Sequence, residues 1–340
     1  MTYRVEALDL DSMSDDDIAP ILGGVNAVNR EIQPRHVDTT ASEFRTFAKS
    51  PGMVKVVNVV HDASGLLVGT FDTRYSDDGT TPDVLRFEMK VFPEHRRRGA
   101  GTAMLGHAAR HARVLGRTTL LTWHFDTVPA GIAFARACNG ADKLQFHENV
   151  LEMSGLDIDL MKEWSRGDPT GYAIRIVEGS LPDELLAGVA NLYYILERDM
   201  PLSEGQEPRT WTAELIREMT ENYLREVESL VAVATVVESG LPVGLSQLIR
   251  RKSDPSTWVV TTTMVDPDHR GRSIGKWLKG SVNMVALERW PGVVYQETGN
   301  AFVNEAMLAI NHAMGFEHEM TVTDVEIAVD DALEFVESRS

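Results

Sequence analysis

Two stretches of the sequence combine arginines with small residues at spacings suited to holding an anion: VFPEHRRRGAGTAMLG, beginning at Val91, and VDPDHRGRSIGKWLKG, beginning at Val265. Arg96, Arg97 and Arg98 in the first, and Arg270 and Arg272 in the second, offer forked, permanently charged donors to phosphate oxygens. Gly99 and Gly101 leave the turn without side chains, so backbone N–H groups can close on a ligand. A helix starting near Thr102 aims its positive dipole end at the same spot. The chemistry this predicts is capture of a pyrophosphate-bearing cofactor. Other phosphate loops fit less well. A Walker loop needs a Lys-Ser/Thr pair that neither copy has, and a dinucleotide fingerprint needs a third glycine where Met104 and Leu278 stand.

The elements that must position these turns recur in the same order. Val91 matches Val265, His95 matches His269, Gly101 matches Gly275 and Gly106 matches Gly280, all at an offset of 174 (265 − 91), which is about one domain. Each half opens with a short strand (3–8; 172–177) and a helical stretch, the second with apolar Leu185, Leu186, Val189, Leu192 and Leu196 at helical spacing. A hairpin about a Ser-Gly turn follows (54–60 and 67–73; 230–237 and 243–248), then a β-rich run (84–91; 258–265) into the arginine turn. A further strand (119–123; 293–297) and a last helix close each half. The expected organisation is a domain over 1–160, a linker over 161–170 containing Gly167-Asp168-Pro169, and a second domain over 171–340.

Composition narrows the function classes. With 340 residues, 43% hydrophobic and 25% charged, the chain can bury two modest cores. A net charge of −18 argues against a general binder of nucleic acid or anionic membrane. The sequence has one cysteine, Cys138, no zinc-ligand spacing, no signal-peptide pattern and no run of 18 apolar residues, so a cytoplasmic protein without a metal is expected.

Arg96-x-x-Gly99-x-Gly101 after a strand ending Val91-Phe92-Pro93 resembles the acyl-CoA pyrophosphate loop of the GNAT superfamily of N-acetyltransferases, and Arg270-x-x-Ser273-x-Gly275 is similar. Ser273 departs from the usual glycine, a change that is tolerated where that residue keeps negative φ. Thr298-x-Asn300, Asn304, Met307, Asn311 and Gly315-Phe316 resemble the last strand and helix of two-domain members common in actinobacteria, the group that includes mycothiol synthase. The resemblance covers essentially the whole chain. It implies an α/β fold of two tandem GNAT-like domains, each a mostly antiparallel, splayed sheet flanked by helices. It also implies an acyl-CoA cofactor, acetyl-CoA first, and a small-molecule amine acceptor.

Residue by residue, the resemblance assigns cofactor contacts to Val91, Arg96, Arg98, Gly99, Ala100, Gly101 and Thr102 in the first half. In the second half it assigns them to Val265, Arg270, Gly271, Arg272, Ser273, Ile274, Gly275, Lys276, Asn300 and Asn304. A tyrosine general acid is usual seven residues after the asparagine, yet Asn311 stands there, and Pro129 and Arg136 occupy the two positions in the first half. An amide cannot protonate a thiolate as a phenol can. Direct transfer needs a carboxylate to take the amine's proton or anchor it, which makes Glu297 the first candidate, with Glu88 its counterpart and Tyr295 a replacement acid. His95 and His269 are expected to pack the turn, and Cys138 to be a small buried side chain. Retention of Asn304 and Asn300 favours the C-terminal half as catalytic. The alternatives are transfer by the N-terminal half, or an acyl-CoA-binding scaffold without catalysis.

Overall fold

The computed structural model describes residues 2–199, 207–301 and 304–339. In chain order its elements begin with β1 (Arg4–Ala7), α1 (Asp15–Ile32), α2 (Ala41–Ala48), β2 (Val54–His61), β3 (Leu67–Tyr75), β4 (Val84–Val91), α3 (Ala100–Val114), β5 (Thr119–Phe125) and α4 (Pro129–Ala137). Next come β6 (Ala141–Glu152), α5 (Ile158–Ser165), β7 (Tyr172–Glu178), α6 (Asp183–Asp199), α7 (Ala213–Tyr223), β8 (Val227–Val236), β9 (Pro242–Arg251) and β10 (Asp254–Val265). The chain ends with α8 (Ile274–Arg289), β11 (Tyr295–Ala301), α9 (Glu305–Met314), β12 (Glu317–Ala328) and α10 (Val329–Glu337). Local chemistry sets several boundaries. Ser14 with Asp17, and Thr40 with Glu43, form capping boxes that start α1 and α2. Asp62 bonds the Ser64 and Leu66 N–H groups around Gly65, at φ 86°, and so closes the β2–β3 hairpin.

The chain forms two compact units, residues 1–145 with 320–340, and residues 146–319. This differs from the linear division at 161–170. In the first unit the strand order is β1-β2-β3-β4-β5-β12, where the last neighbour comes from the far end of the chain, Val322 to Ala328 pairing antiparallel with Phe125 to Thr119. In the second unit the order is β7-β8-β9-β10-β11-β6, with Tyr295 to Ala301 antiparallel to Glu152 to Phe146. Each final strand brings a helix: α10 packs on α3 and α5 packs on α8. The expected linker therefore lies partly inside the core of the second unit. Met161 and Trp164 of α5 are buried, and a Cβ on Gly280 of α8 would lie 2.6 Å from Trp164.

Both units repeat one arrangement. Within each unit, among the described residues, the ladders are antiparallel except β4–β5 and β10–β11, which are parallel. In the first unit α3 covers one sheet face through Met104, Leu105, Ala108 and Ala112, packed on Phe71, Leu85, Phe87 and Leu120, while α1 covers the other. In the second unit α8 seals one face through Ile274, Trp277, Leu278 and Val282 against Leu230, Leu248 and Trp258. Helices α6 and α7 seal the other through Leu186, Val189 and Ile216. Alternating side chains on each strand supply both cores, so each register is tightly fixed.

Candidate functional site

The single parallel pair in each unit opens partway along. β4 and β5 pair only over Val84–Arg86 with Thr119–Leu121, and β10 and β11 only over Thr257–Val260 with Tyr295–Thr298. Beyond those rungs the strands part, and the helix that follows begins at the mouth of the opening. The two units then differ in one respect. The β3–β4 ladder runs in unbroken register, whereas β9–β10 carries a bulge at Thr261, between the rungs of Val260 and Thr262. A bulge bends its strand and leaves the extra residue outside the ladder, which frees backbone donors beside the second opening.

Both turns end in left-handed caps: Gly99 has φ 96° and Ser273 φ 60°, with Arg97 at 62° and Gly271 at 77° two residues earlier. The condition of negative φ under which serine is tolerated is thus not met at Ser273. The turn itself demands the αL conformation, and serine bears a strain that glycine would not. Neither helix has a side-chain cap, and the first helical bonds are Ala103 N–H to Gly99 O and Trp277 N–H to Ser273 O. The preceding N–H groups, those of Ile274, Gly275 and Lys276 in the second unit, therefore have no helical acceptor and face outward together. This geometry fits an anion such as a pyrophosphate.

The arginines are placed less simply than their spacing implies. Arg96 donates through Nε to Val91 O at 3.2 Å and forks onto Glu31 of α1 at 2.7 and 2.5 Å. Arg270 donates likewise to Val265 O at 3.0 Å and to Asp199 of α6 at 3.0 Å. Both clamp the turn to the helix that follows the first strand of each repeat, α1 or α6, so their guanidinium groups are already engaged. Arg272 donates to the Tyr172 hydroxyl at 2.5 Å and lies over its ring, and that hydroxyl also meets His269 Nδ1 at 2.8 Å, so His269 packs the turn. Arg98 is exposed, its carbonyl accepting from Tyr3. Lys276 lies over Trp164 at 5.5 Å. Ala100 and Ile274 are buried and anchor the two helix starts, while Thr102 is half-buried on α3.

At the first opening, Gly101 faces Phe134 of α4; an added Cβ would lie 3.3 Å from that ring, which stacks edge-on against Phe335. In the second unit the matching position on α9 is Ala309, which is exposed, and among the described residues a Cβ on Gly275 would lie 3.7 Å from Ile310 and 3.9 Å from Val265, a looser fit than at Gly101. Asn304 caps α9, accepting from Met307 N–H at 3.2 Å, and its amide donors remain at the exposed lip. Asn311 is buried, donates to Asn300 and accepts from Lys279 Nζ at 2.9 Å.

Register places the acidic candidates. Glu297 is opposite Val259, and Val259 is opposite Ile249, so Glu297 shares the α6/α7 face of the sheet. That face holds a cavity of 240 Å³ lined by Tyr193, Trp211, Tyr223, Gln247, Thr261 and Thr262 among others. Glu148 on β6 is opposite Gly299, one rung along the same face, and its carboxylate covers the spot where a Gly299 side chain would be. Burial, reinforced by the Glu297 charge, raises the pKa of Glu148. No sequence motif marked Glu148, because strand β6 was not foreseen; the alternation in HENVLE was the available signal.

Two candidates are corrected. Glu88 is bonded to Lys90 and lies 3.5 Å from Arg74, within a network that includes Asp72 and Lys55. Burial raises its pKa, but the neighbouring cations outweigh this and hold it low, so it is a poor proton acceptor. Tyr295 pairs with Thr257 and Glu152, three residues or about 10 Å below the point where the strands part, too far for a reacting acid. Cys138 is buried, donates to Phe134 O at 3.1 Å and has its pKa pushed up to about 11 by burial, so it is inert. Among the described residues there is no group of three or more His, Cys, Asp or Glu side chains able to hold a metal, and no helix long and apolar enough to cross a membrane.

The sequence matches no protein-family model and no curated protein. Solved structures do match. A tandem GNAT protein from the clavulanic acid biosynthesis pathway, solved without acetyl-CoA, is 24% identical over 96% of this chain and 99% of its own, with a TM-score of 0.80. A GCN5-related N-acetyltransferase from Sphaerobacter thermophilus is 14% identical over 96% of both chains, with a TM-score of 0.66. The glucosamine N-acetyltransferase region of a fungal multi-domain β-N-acetylglucosaminidase is 14% identical over 96% of this chain and 38% of that one, at 0.61. At such identities the likeness is one of architecture, and with its two splayed sheets and paired arginine turns this chain has the tandem GNAT fold.

Proposed function

We propose that this protein is an acyl-CoA-dependent N-acyltransferase, acetyl-CoA being the first donor to test, and that the second unit transfers the acyl group to the amine of a small molecule. The observation that carries this reading is the open, bulged β10–β11 split, which has uncapped α8 N–H groups at its mouth and two carboxylates on its α6/α7 face. In the first unit Phe134 packs close on Gly101 at the start of α3 and Glu88 is tied up by cations, which supports a structural role for that unit.

When bound, the thioester supplies an activated acyl group. The α8 N–H groups and the exposed Asn304 amide would hold the cofactor's polar arm, and the backbone at the Thr261 bulge, outside the regular ladder, would offer an N–H donor to the thioester carbonyl oxygen. Glu297 attracts the acceptor's ammonium. Glu148, with its raised pKa, takes the proton, because a more basic carboxylate is the better acceptor near neutral pH. The cavity on the same face of the sheet receives the acceptor's body.

Asn311 at the usual tyrosine position favours a second reading, an acyl-CoA-binding protein without turnover. Calorimetric titration of acetyl-CoA and CoA separates site from function. One site, lost in Gly275→Glu and kept in Gly101→Glu, supports the second unit; the reverse moves the site to the first. Thiol release with an amine panel, abolished by Glu148→Gln, supports transfer. Binding without release under any amine supports the second reading.

A further inference from the structure

Lys279 lies on α8 one turn beyond Gly275, on the flank that meets α9. It is the only lysine buried below a tenth exposure among the described residues, at 1%. Among the described residues no charged group acts on it appreciably; its surroundings are Asn311, the Phe316 ring at 5.9 Å and Asn283, whose amide donates to the Lys279 carbonyl. An ammonium in such a place is expensive unless it serves a charge that arrives later.

The direction of its hydrogen bonds is informative. A lysine ammonium only donates, so Asn311 Oδ1 must face it, which forces Asn311 Nδ2 toward Asn300 Oδ1. The Asn300 amide donors then point onward from β11, at a residue beyond the Val260–Thr298 rung where the strands have parted. A buried positive charge is thereby linked, through two oriented amides, to the wall of the opening. Two further amides near this face, Asn283 and Gln296, have buried polar atoms with no protein partner, so this wall is polar beyond what the fold itself uses.

Resting on the transferase reading above, we propose that Lys279 is a positioning cation for the C-terminal site: it orients Asn311 and Asn300 and stabilises the thiolate that leaves, in place of a tyrosine at position 311. The balance is simple. The carbon–sulfur bond breaks and its electron pair stays on sulfur; the acceptor ammonium gives one proton to Glu148 before attack, and the second leaves the nitrogen to water once the carbon–nitrogen bond has formed, so Lys279 need not give one up. Burial alone lowers the pKa of Lys279 to about 7, which keeps a substantial charged fraction at neutral pH and makes the ammonium responsive to an incoming anion.

The test is the thiol titration of bound CoA, followed by ultraviolet thiolate absorbance, in the wild type, Lys279→Met and the isosteric Asn311→Asp. The expected result is a bound-thiol pKa at least one unit lower in the wild type than in either variant. Methionine removes the charge, and aspartate neutralises it at close range without removing the lysine. Equal titration of the thiol in all three, with CoA bound, overturns the proposal and leaves the cofactor reading standing. Absence of CoA binding by the wild type in the same experiment overturns the cofactor reading and this proposal with it. Should Lys279→Met not fold, Asn311→Asp decides alone: an unshifted thiol refutes.

Discussion

Removing the Lys279 charge should stabilise the protein, and by an amount that depends on pH in a set direction. In the unfolded chain this amine titrates near its ordinary 10.5, and in the folded chain at about 7. Above 10.5 both states are neutral and the group contributes nothing. Between 7 and 10.5 only the unfolded chain holds the proton, so stability rises with pH through that window, and below 7 the full penalty applies. At about 1.36 kcal/mol per unit, the 3.5-unit gap (10.5 − 7) amounts to about 4–5 kcal/mol below pH 7, falling to about 1 kcal/mol at pH 10. Lys279→Met escapes this cost but leaves Asn311 Oδ1 without its donor, a penalty of about 1–3 kcal/mol that does not vary with pH. The variant should therefore be more stable by about 2–3 kcal/mol at pH 6, and its advantage should vanish or reverse by pH 10. Urea unfolding followed by tryptophan fluorescence suits the question. Trp164, Trp211, Trp258, Trp277 and Trp290 lie in the second unit and only Trp123 in the first. If the two proteins keep a constant difference from pH 6 to 10, Lys279 is not a buried titrating amine and the reasoning fails.

Ser273→Gly should relieve a positive-φ strain of about 1–2 kcal/mol, less about 0.4–1 for glycine's freer unfolded chain, for a net gain near ~0.5–1 kcal/mol in thermal denaturation; a loss would mean the hydroxyl matters more than the backbone. If Glu148 is the proton acceptor, activity falls as pH drops through its raised pKa, and Glu297→Gln should move that acid limb to lower pH by removing a like charge. An unmoved limb in the pH–rate profile would separate the two carboxylates. Glu148→Gln should cost about 10²–10⁴ in kcat. Arg96→Lys cannot reproduce the fork onto Glu31 and Val91 O and should cost about 1–2 kcal/mol in urea unfolding, whereas an unchanged midpoint would show that the clamp is dispensable.

Much of this architecture is readable from the chain, and the reason is locality. Strand β4 occupies the expected 84–91, and the arginine turns run from strand to helix as expected, because β-rich runs, a proline and glycines at fixed offsets act within a few residues. The duplication follows from the same local pattern appearing twice. The tertiary structure decided what depends on contacts between distant positions. The exchanged strands β6 and β12 are ordinary alternating strands whose partners no local signal specifies, so the linker was misread and Glu148 was missed. Arg96 and Arg270 carry the right charge for phosphate, yet Glu31 and Asp199, 65 and 71 residues away, claim their forks. Phe134 crowds Gly101 only because α4 lays it against the start of α3. Lys279 meets Asn311 across 32 residues of sequence, where its flanking Trp277, Leu278 and Gly280 could have warned that it is buried but not what it touches. Sequence set the backbone path around each turn through short-range sterics; packing selected which charges remain free to act.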